Sequence, residues 1–220
     1  MLVDNAPEKP EVLVVDEQEL FRKGLRAALE EAGLVIAGDF CSEEEVPLLT
    51  EMRPHTVAVC SLSLAHWDHL VRNLLLWHPT TIVIGIVEQP TDKTAMEALI
   101  EGVSLCMSRQ QPPSEWVATI KHAWSGQLKP EEAIGQHPSI ARDALLYLSR
   151  AAGLTGERSV VPKVTTREGQ VLRSLSEGDA VPQVADRLGV DMDTVYNTLG
   201  SVRQKLMRAR RLQLLLEALC

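Results

Sequence analysis

The 220-residue sequence contains no apolar run approaching the roughly 18 residues that a membrane span needs. That excludes a membrane-spanning helix. Its first residues, MLVDNAPEKPE, are acidic and polar and lack the basic segment and apolar stretch of a secretory signal. Four cysteines (Cys41, Cys60, Cys106 and Cys220) lie far apart and form no CxxC pair. A zinc ribbon and a dense disulfide framework are thereby excluded, and a reducing, cytoplasmic setting is expected. No internal repeat is visible, and positive charge is in the minority: 22 Lys and Arg stand against 30 Asp and Glu, for a net charge of −8. What remains, 45% hydrophobic and 24% charged residues, is the balance of an ordinary globular protein with room for two small domains.

The acidity is unevenly spread. Residues 1–130 carry 10 basic and 19 acidic side chains, whereas residues 163–220 carry 9 and 7. Arg203, Lys205, Arg208, Arg210 and Arg211 fall within nine positions with no acid among them. An acidic front and a locally basic end predict two modules with different partners.

Residues 1–10 read as a flexible tail. Strand candidates follow at Val12–Val15, Val35–Phe40, Thr56–Cys60, Ile82–Val87 and Leu105–Met107, each a short apolar run. Helical patterns alternate with them: Leu20 to Leu29, a helix capped by Ser42 and running through Met52, Leu70–Trp77, Thr91–Glu101, and one from Pro112 to about Trp124. Five alternations predict an α/β, doubly wound, five-stranded parallel sheet over residues 11–126. Residues 127–162 read as a linker with a helix inside, Ile140 to Ala152, and residues 163–220 as a small all-α domain.

Within that last domain, Val195, Leu199, Val202 and Leu206 form one apolar stripe, and Thr194, Asn197, Thr198, Ser201 and Lys205 lie opposite. A short helix over Val181–Leu188 and a turn at Gly189 precede it. The spacing fits a helix-turn-helix, whose second helix enters the major groove, and fits a generic helical bundle equally well. The separate last helix, Leu212 to Leu219, is too apolar to stay bare.

Val164-Thr-Thr-Arg-Glu168, Val171-Leu172, Glu177-Gly178, Val184-Ala185, Leu188-Gly189, Thr194-Val195 and Lys205-Leu206 resemble the LuxR-type helix-turn-helix over about 45 residues. The resemblance implies double-stranded DNA as partner. Thr194, Val195, Asn197, Thr198 and Ser201 would lie at the bases, and Arg203, Lys205 and Arg208 at the phosphates. It also implies dimerisation through the last helix, with Leu212, Leu215, Leu216 and Leu219 as candidates. Where the family carries Lys and His in its recognition helix, this sequence has Tyr196 and Thr198.

The string Val12-Leu-Val-Val-Asp-Glu-Gln-Glu-Leu-Phe-Arg-Lys-Gly-Leu25, with Gly102-Val-Ser104 and Pro112-Pro113, resembles the receiver domain of NarL/FixJ response regulators. A working receiver holds Mg²⁺ with carboxylates, phosphorylates an Asp at the end of its third strand and neutralises the charge with a Lys. Asp16 and Glu17 match the outer acids. Cys60 or Ser61 stands where the acceptor Asp belongs, Val87 at the Thr/Ser position and Arg109 at the Lys position. Asp16 and Glu17 fit weak cation binding or simple helix capping.

These resemblances imply an atypical, orphan response regulator, similar in class to developmental and antibiotic-pathway regulators of actinobacteria. Such a protein would regulate transcription without aspartyl phosphorylation and would need no cofactor. Its control would come through a homodimer, a heterodimer with a related regulator, or a small-molecule ligand. The alternative is an interaction module that binds DNA only as a heterodimer. An enzyme using Asp16, Glu17 and His66 or His69 is the weakest reading, because those histidines have no ligand spacing with the acids.

Overall fold

The computed structural model describes residues 10–46, 57–89, 91–154 and 163–218. By packing the chain divides into two units: residues 1–90 with 102–129, and residues 91–101 with 130–220.

The first unit is a parallel five-stranded sheet of β1 (Glu11–Val15), β2 (Val35–Phe40), β3 (Val57–Ser61), β4 (Ile82–Val87) and β5 (Leu105–Ser108), in the order β2-β1-β3-β4-β5. The uninterrupted apolar sequences of β1, β3 and β4 place them at the centre, where both faces are covered, and the more polar β2 and β5 take the edges. Helices α1 (Glu19–Glu31) and α4 (Pro113–Trp124) cover one face. There Leu25, Leu29, Trp116 and Ile120 pack with Val12, Val14, Val57, Val59, Ile84 and Ile86. Helix α2 (Trp67–Trp77) also belongs to this unit. The strand order reverses between β1 and β3, which leaves a crevice at their carboxyl ends.

The second unit contains α3 (Asp92–Glu101), α5 (Glu132–Gln136), α6 (Pro138–Leu154), α7 (Thr166–Ser176), α8 (Val181–Leu188) and α9 (Met192–Ala218). Ile140, Ala141, Ala144 and Leu148 of α6 are buried with Val171, Leu172 and Leu175 of α7 and with Val195, Leu199, Val202 and Leu206 of α9. Met96 and Leu99 of α3 join the same core.

Four expectations change. The segment read as a linker supplies core: α6 carries an apolar stripe that must be covered, so it packs as a member of the helical unit. Helix α3, expected inside the sheet domain, is counted in the helical unit because Met96 and Leu99 are buried there. The recognition helix and last helix, expected as two, are one helix of 27 residues. No proline interrupts positions 192–218 and Gly200 has no left-handed backbone, so nothing breaks the hydrogen-bond ladder. After β2, Ser42 makes no side-chain cap and a 3₁₀ turn, Glu43–Glu45, stands at the expected helix start. The rest of that helix, from residue 47, lies outside the described residues. Among the described residues no helix is long and apolar enough to cross a membrane.

Candidate functional site

Alternation along the strands decides what faces the crevice. Asp16 continues the parity of Val12 and Val14, and Ser61 that of Val57 and Val59, all on the side of α1 and α4. Register agrees: Val15 pairs with Cys60, so the next step sets Asp16 beside Ser61. Of the two residues left open by the sequence, Ser61 is the one in the crevice. Cys60 points to the opposite face, where full burial pushes its thiol up to about 12.

Arg109, just past β5, fills the centre. One terminal nitrogen donates to Asp16 Oδ1 at 2.7 Å; the other donates to Glu17 Oε1 at 3.0 Å and to Ser61 Oγ at 3.3 Å. Its Nε lies 2.9 Å from Glu88 Oε1, an ion pair without hydrogen-bond alignment. The guanidinium lies 5.5 Å from the centroid of the Phe21 ring, and that ring meets Trp116 edge to face. Arg109 is 6% exposed and Asp16 fully buried. Val87, at the end of β4, contributes its carbonyl to the Arg109 N–H at 2.8 Å.

Burial raises the Asp16 carboxyl above its ordinary pKa, against the pull of the Gln18 N–H and of Arg109. Burial pushes Glu17 the same way, but hydrogen bonds from its own backbone, Ser61 and Arg109 outweigh it and hold Glu17 low. The Mg²⁺ of a receiver does not fit this donor set. Both acids are engaged by a fixed cation, and the third strand offers a hydroxyl instead of a carboxylate. Asp16 Oδ1 also accepts at 2.7 Å from the N–H of Gln18, the residue that caps α1, whose own side chain makes no capping bond. His66 and His69 stand ring to ring at the start of α2, with centroids 5.7 Å apart; among the described residues, neither bonds Asp16 or Glu17. Glu88 and Phe21 were not anticipated, although Glu88 directly follows a buried strand.

In the helical unit, Gly189 takes a left-handed conformation (φ 65°) at the end of α8, as only a residue without Cβ does readily. It turns the chain into α9, whose first turn is capped by Asp191 Oδ1 accepting the Thr194 N–H at 2.6 Å. The Thr194 side chain, together with that backbone bond, holds the Asp191 carboxyl low. At the start of α7, Thr165 and Glu168 form a capping box. Glu168 then goes further than a cap. It accepts the Ser201 hydroxyl at 2.7 Å and Lys205 Nζ at 2.6 Å, while Lys205 also donates to the Lys163 carbonyl at 2.9 Å.

Several expected DNA contacts therefore turn inward. Val195 is wholly buried because it belongs to the apolar stripe. Ser201 and Lys205 are held by Glu168. Arg203 is desolvated: burial lowers its pKa, with the charge of Glu131 opposing. Thr194 is half-buried, and Thr198 donates its hydroxyl back to the Thr194 carbonyl at 2.8 Å. Asn197 and Arg208 are exposed, as are Asp193, Gln204 and Arg211. Gln204 was missed, yet it lies two turns beyond Asn197 and was readable from that spacing. Leu212 is partly buried against its own unit's core. Nothing is described of the Leu215 and Leu216 side chains, and Leu219 lies outside the described residues.

Residues 162–218 match the family described as bacterial regulatory proteins, luxR family. Over 205 residues the chain is 24% identical to the DNA-binding transcriptional activator DevR/DosR of Mycobacterium tuberculosis, covering 92% of this chain and 90% of that protein. It is 23% identical over 192 residues to the response regulator UvrY of Escherichia coli, covering 84% and 82%. A solved structure of the Salmonella typhimurium RcsB response regulator shares the fold, with 18% identity, coverage of 91% and 93%, and a TM-score of 0.50.

Proposed function

We propose that this chain is a DNA-binding transcriptional regulator of the response-regulator type that works without aspartyl phosphorylation; a receiver-like sheet followed by a domain that matches the luxR family supports the first part of that reading. One observation carries the reading: the guanidinium of Arg109 holds Asp16, Glu17 and Ser61 together at the end of the third strand, where an acceptor carboxylate would have to stand. An internal cation occupies the place of metal and phosphoryl charge. Serine there offers a neutral hydroxyl, unable to form an acyl phosphate. After incubation with acetyl phosphate and Mg²⁺, the intact mass is expected to be unchanged. A single phosphoryl adduct on an aspartate would overturn the proposal.

Input then arrives by another route: pairing with a second copy, pairing with a related regulator, or a small ligand. Heterodimerisation has an observation in its favour. With Arg203 and Lys205 turned inward and Arg210 paired with Glu101, Arg208 and Arg211 are the exposed cations of α9 among the described residues, few for solitary binding to a polyanion.

The same arrangement separates two lysine and arginine roles. Arg208→Ala is expected to reduce the slope of log K against log salt by about one and to weaken all duplexes alike. Lys205→Gln is expected to leave that slope unchanged while lowering the melting temperature. Equal slopes for wild type and Arg208→Ala would remove Arg208 from the phosphate contacts.

A further inference from the structure

Gly200 lies in the interior of α9 on the side turned from the core. Val195, Leu199, Val202 and Leu206 are buried, whereas Asp193, Asn197 and Gln204 are exposed and share a stripe with Gly200 at spacings of four, three and four residues. Among non-proline residues glycine is the least favourable in a helix interior. Nothing within the fold requires it here: the backbone is not left-handed, and a Cβ built at Gly200 meets no atom within 4 Å. A missing side chain that serves no internal contact leaves room for something outside.

The chemistry beside the gap suggests what that is. No cation falls on the stripe before Arg208, so it is not a phosphate track. Two amides flank the gap instead, and Asn and Gln side chains pair bidentately with the N6 and N7 edge of adenine. At roughly 1.5 Å per residue, Asn197 and Gln204 are about 10 Å apart along the axis. That matches about three base-pair steps of roughly 3.4 Å.

We propose that Gly200 is the point at which α9 comes closest to the floor of the major groove, and that Asn197 and Gln204 read adenines about three steps apart on either side of it. The inference rests on the DNA-binding reading and adds to it the base class and the spacing. The gap sets depth, and the amides set sequence.

The test is selection from a randomised duplex library with the full-length protein, followed by binding measurements on the enriched duplex. Gly200→Ala is expected to raise the melting temperature by about 2–4 °C and to lose at least tenfold in affinity. Gly24→Ala in α1, at an exposed position and likewise with nothing within 4 Å of its added Cβ, is the control and should stabilise without changing affinity. Asn197→Ala and Gln204→Ala should each relax preference at one A·T pair, the two pairs lying about three steps apart. Gly200→Ala binding as tightly as wild type, or the two amide variants relaxing no A·T pair or the same one, would overturn the inference and leave DNA binding standing. A library with no enriched duplex, whether the protein is used alone or mixed with a related regulator, would overturn both.

Discussion

Arg109→Met is expected to cost the sheet unit roughly 3–5 kcal/mol, because it removes the partner of a fully buried carboxylate and leaves that charge uncompensated. The effect is readable on this unit alone. All four tryptophans (Trp67, Trp77, Trp116 and Trp124) lie in it, so urea unfolding followed by tryptophan fluorescence reports its midpoint, which should fall by about 1–3 M. The pH dependence has a definite sign. Asp16 already has a raised pKa, and losing Arg109 raises it further, so the folded variant binds a proton that the unfolded chain does not. The variant's stability therefore declines as pH rises through that raised pKa. Glu17 acts in the same direction, since Arg109 helps to hold it low and gives stability that is lost only as pH falls. The deficit against wild type should be largest near neutral pH and shrink in acid. Arg109→Lys keeps the charge but not the fork and should fall between the two. An Arg109→Met midpoint within 0.3 M of wild type at neutral pH, on the order of the extrapolation error, would show that the guanidinium does not hold the crevice.

Glu168→Ala should do comparable harm in the helical unit. It removes the Glu168 half of the α7 capping box, the bond from the Thr165 N–H, while the Thr165 hydroxyl can still cap the helix, and it leaves Lys205 in a largely buried site without its carboxylate, a loss of roughly 3–5 kcal/mol. Burial pushes Glu168 up, but bonds from Lys205, the Thr165 backbone and Ser201 prevail and keep its carboxyl low. A lowered pKa gives stability that is present above the unfolded value and lost as pH falls through the folded one. Wild-type helicity at 222 nm should accordingly weaken in acid, and Glu168→Ala should show a lower melting temperature at pH 7 with a smaller acid effect. Adding Lys205→Met should recover part of the loss, because an apolar side chain needs no counter-charge. A double variant no better than Glu168→Ala would mean that the ion pair contributes little beyond the cap.

Much of this was legible beforehand where one periodicity governed a whole segment. The runs at β1, β3 and β4 could only be doubly covered strands, and the stripe from Val195 to Leu206 could only be a buried helix face. The position of Asp16 and Glu17 at a strand end followed from β1 alone. Choosing between Cys60 and Ser61 needed the register to Val15, which no single strand contains. The fates of Lys205 and Arg203 were not legible either. A cation on the polar side of a helix looks solvated until Glu168 or Glu131, 37 and 72 positions earlier, is brought beside it. Helix α6 was misjudged for a related reason: its flanking prolines and glycines suggested a tether, although Ile140, Ala144 and Leu148 already announced a buried face.

The unbroken course of α9 has a mechanical meaning. At roughly 1.5 Å per residue its 27 residues make a rod about 40 Å long. Near its far end Arg210 donates to Glu101 of α3 at 2.6 Å. A stiff lever converts a small rotation at one end into a useful excursion at the other: tilting it by about 5° displaces the opposite tip by roughly 3–4 Å. That is the rise of one base pair. Asn197 lies 13 residues, roughly 20 Å, from Arg210, so the same tilt taken about Arg210 would carry that amide by about 1.7 Å, half of one such rise.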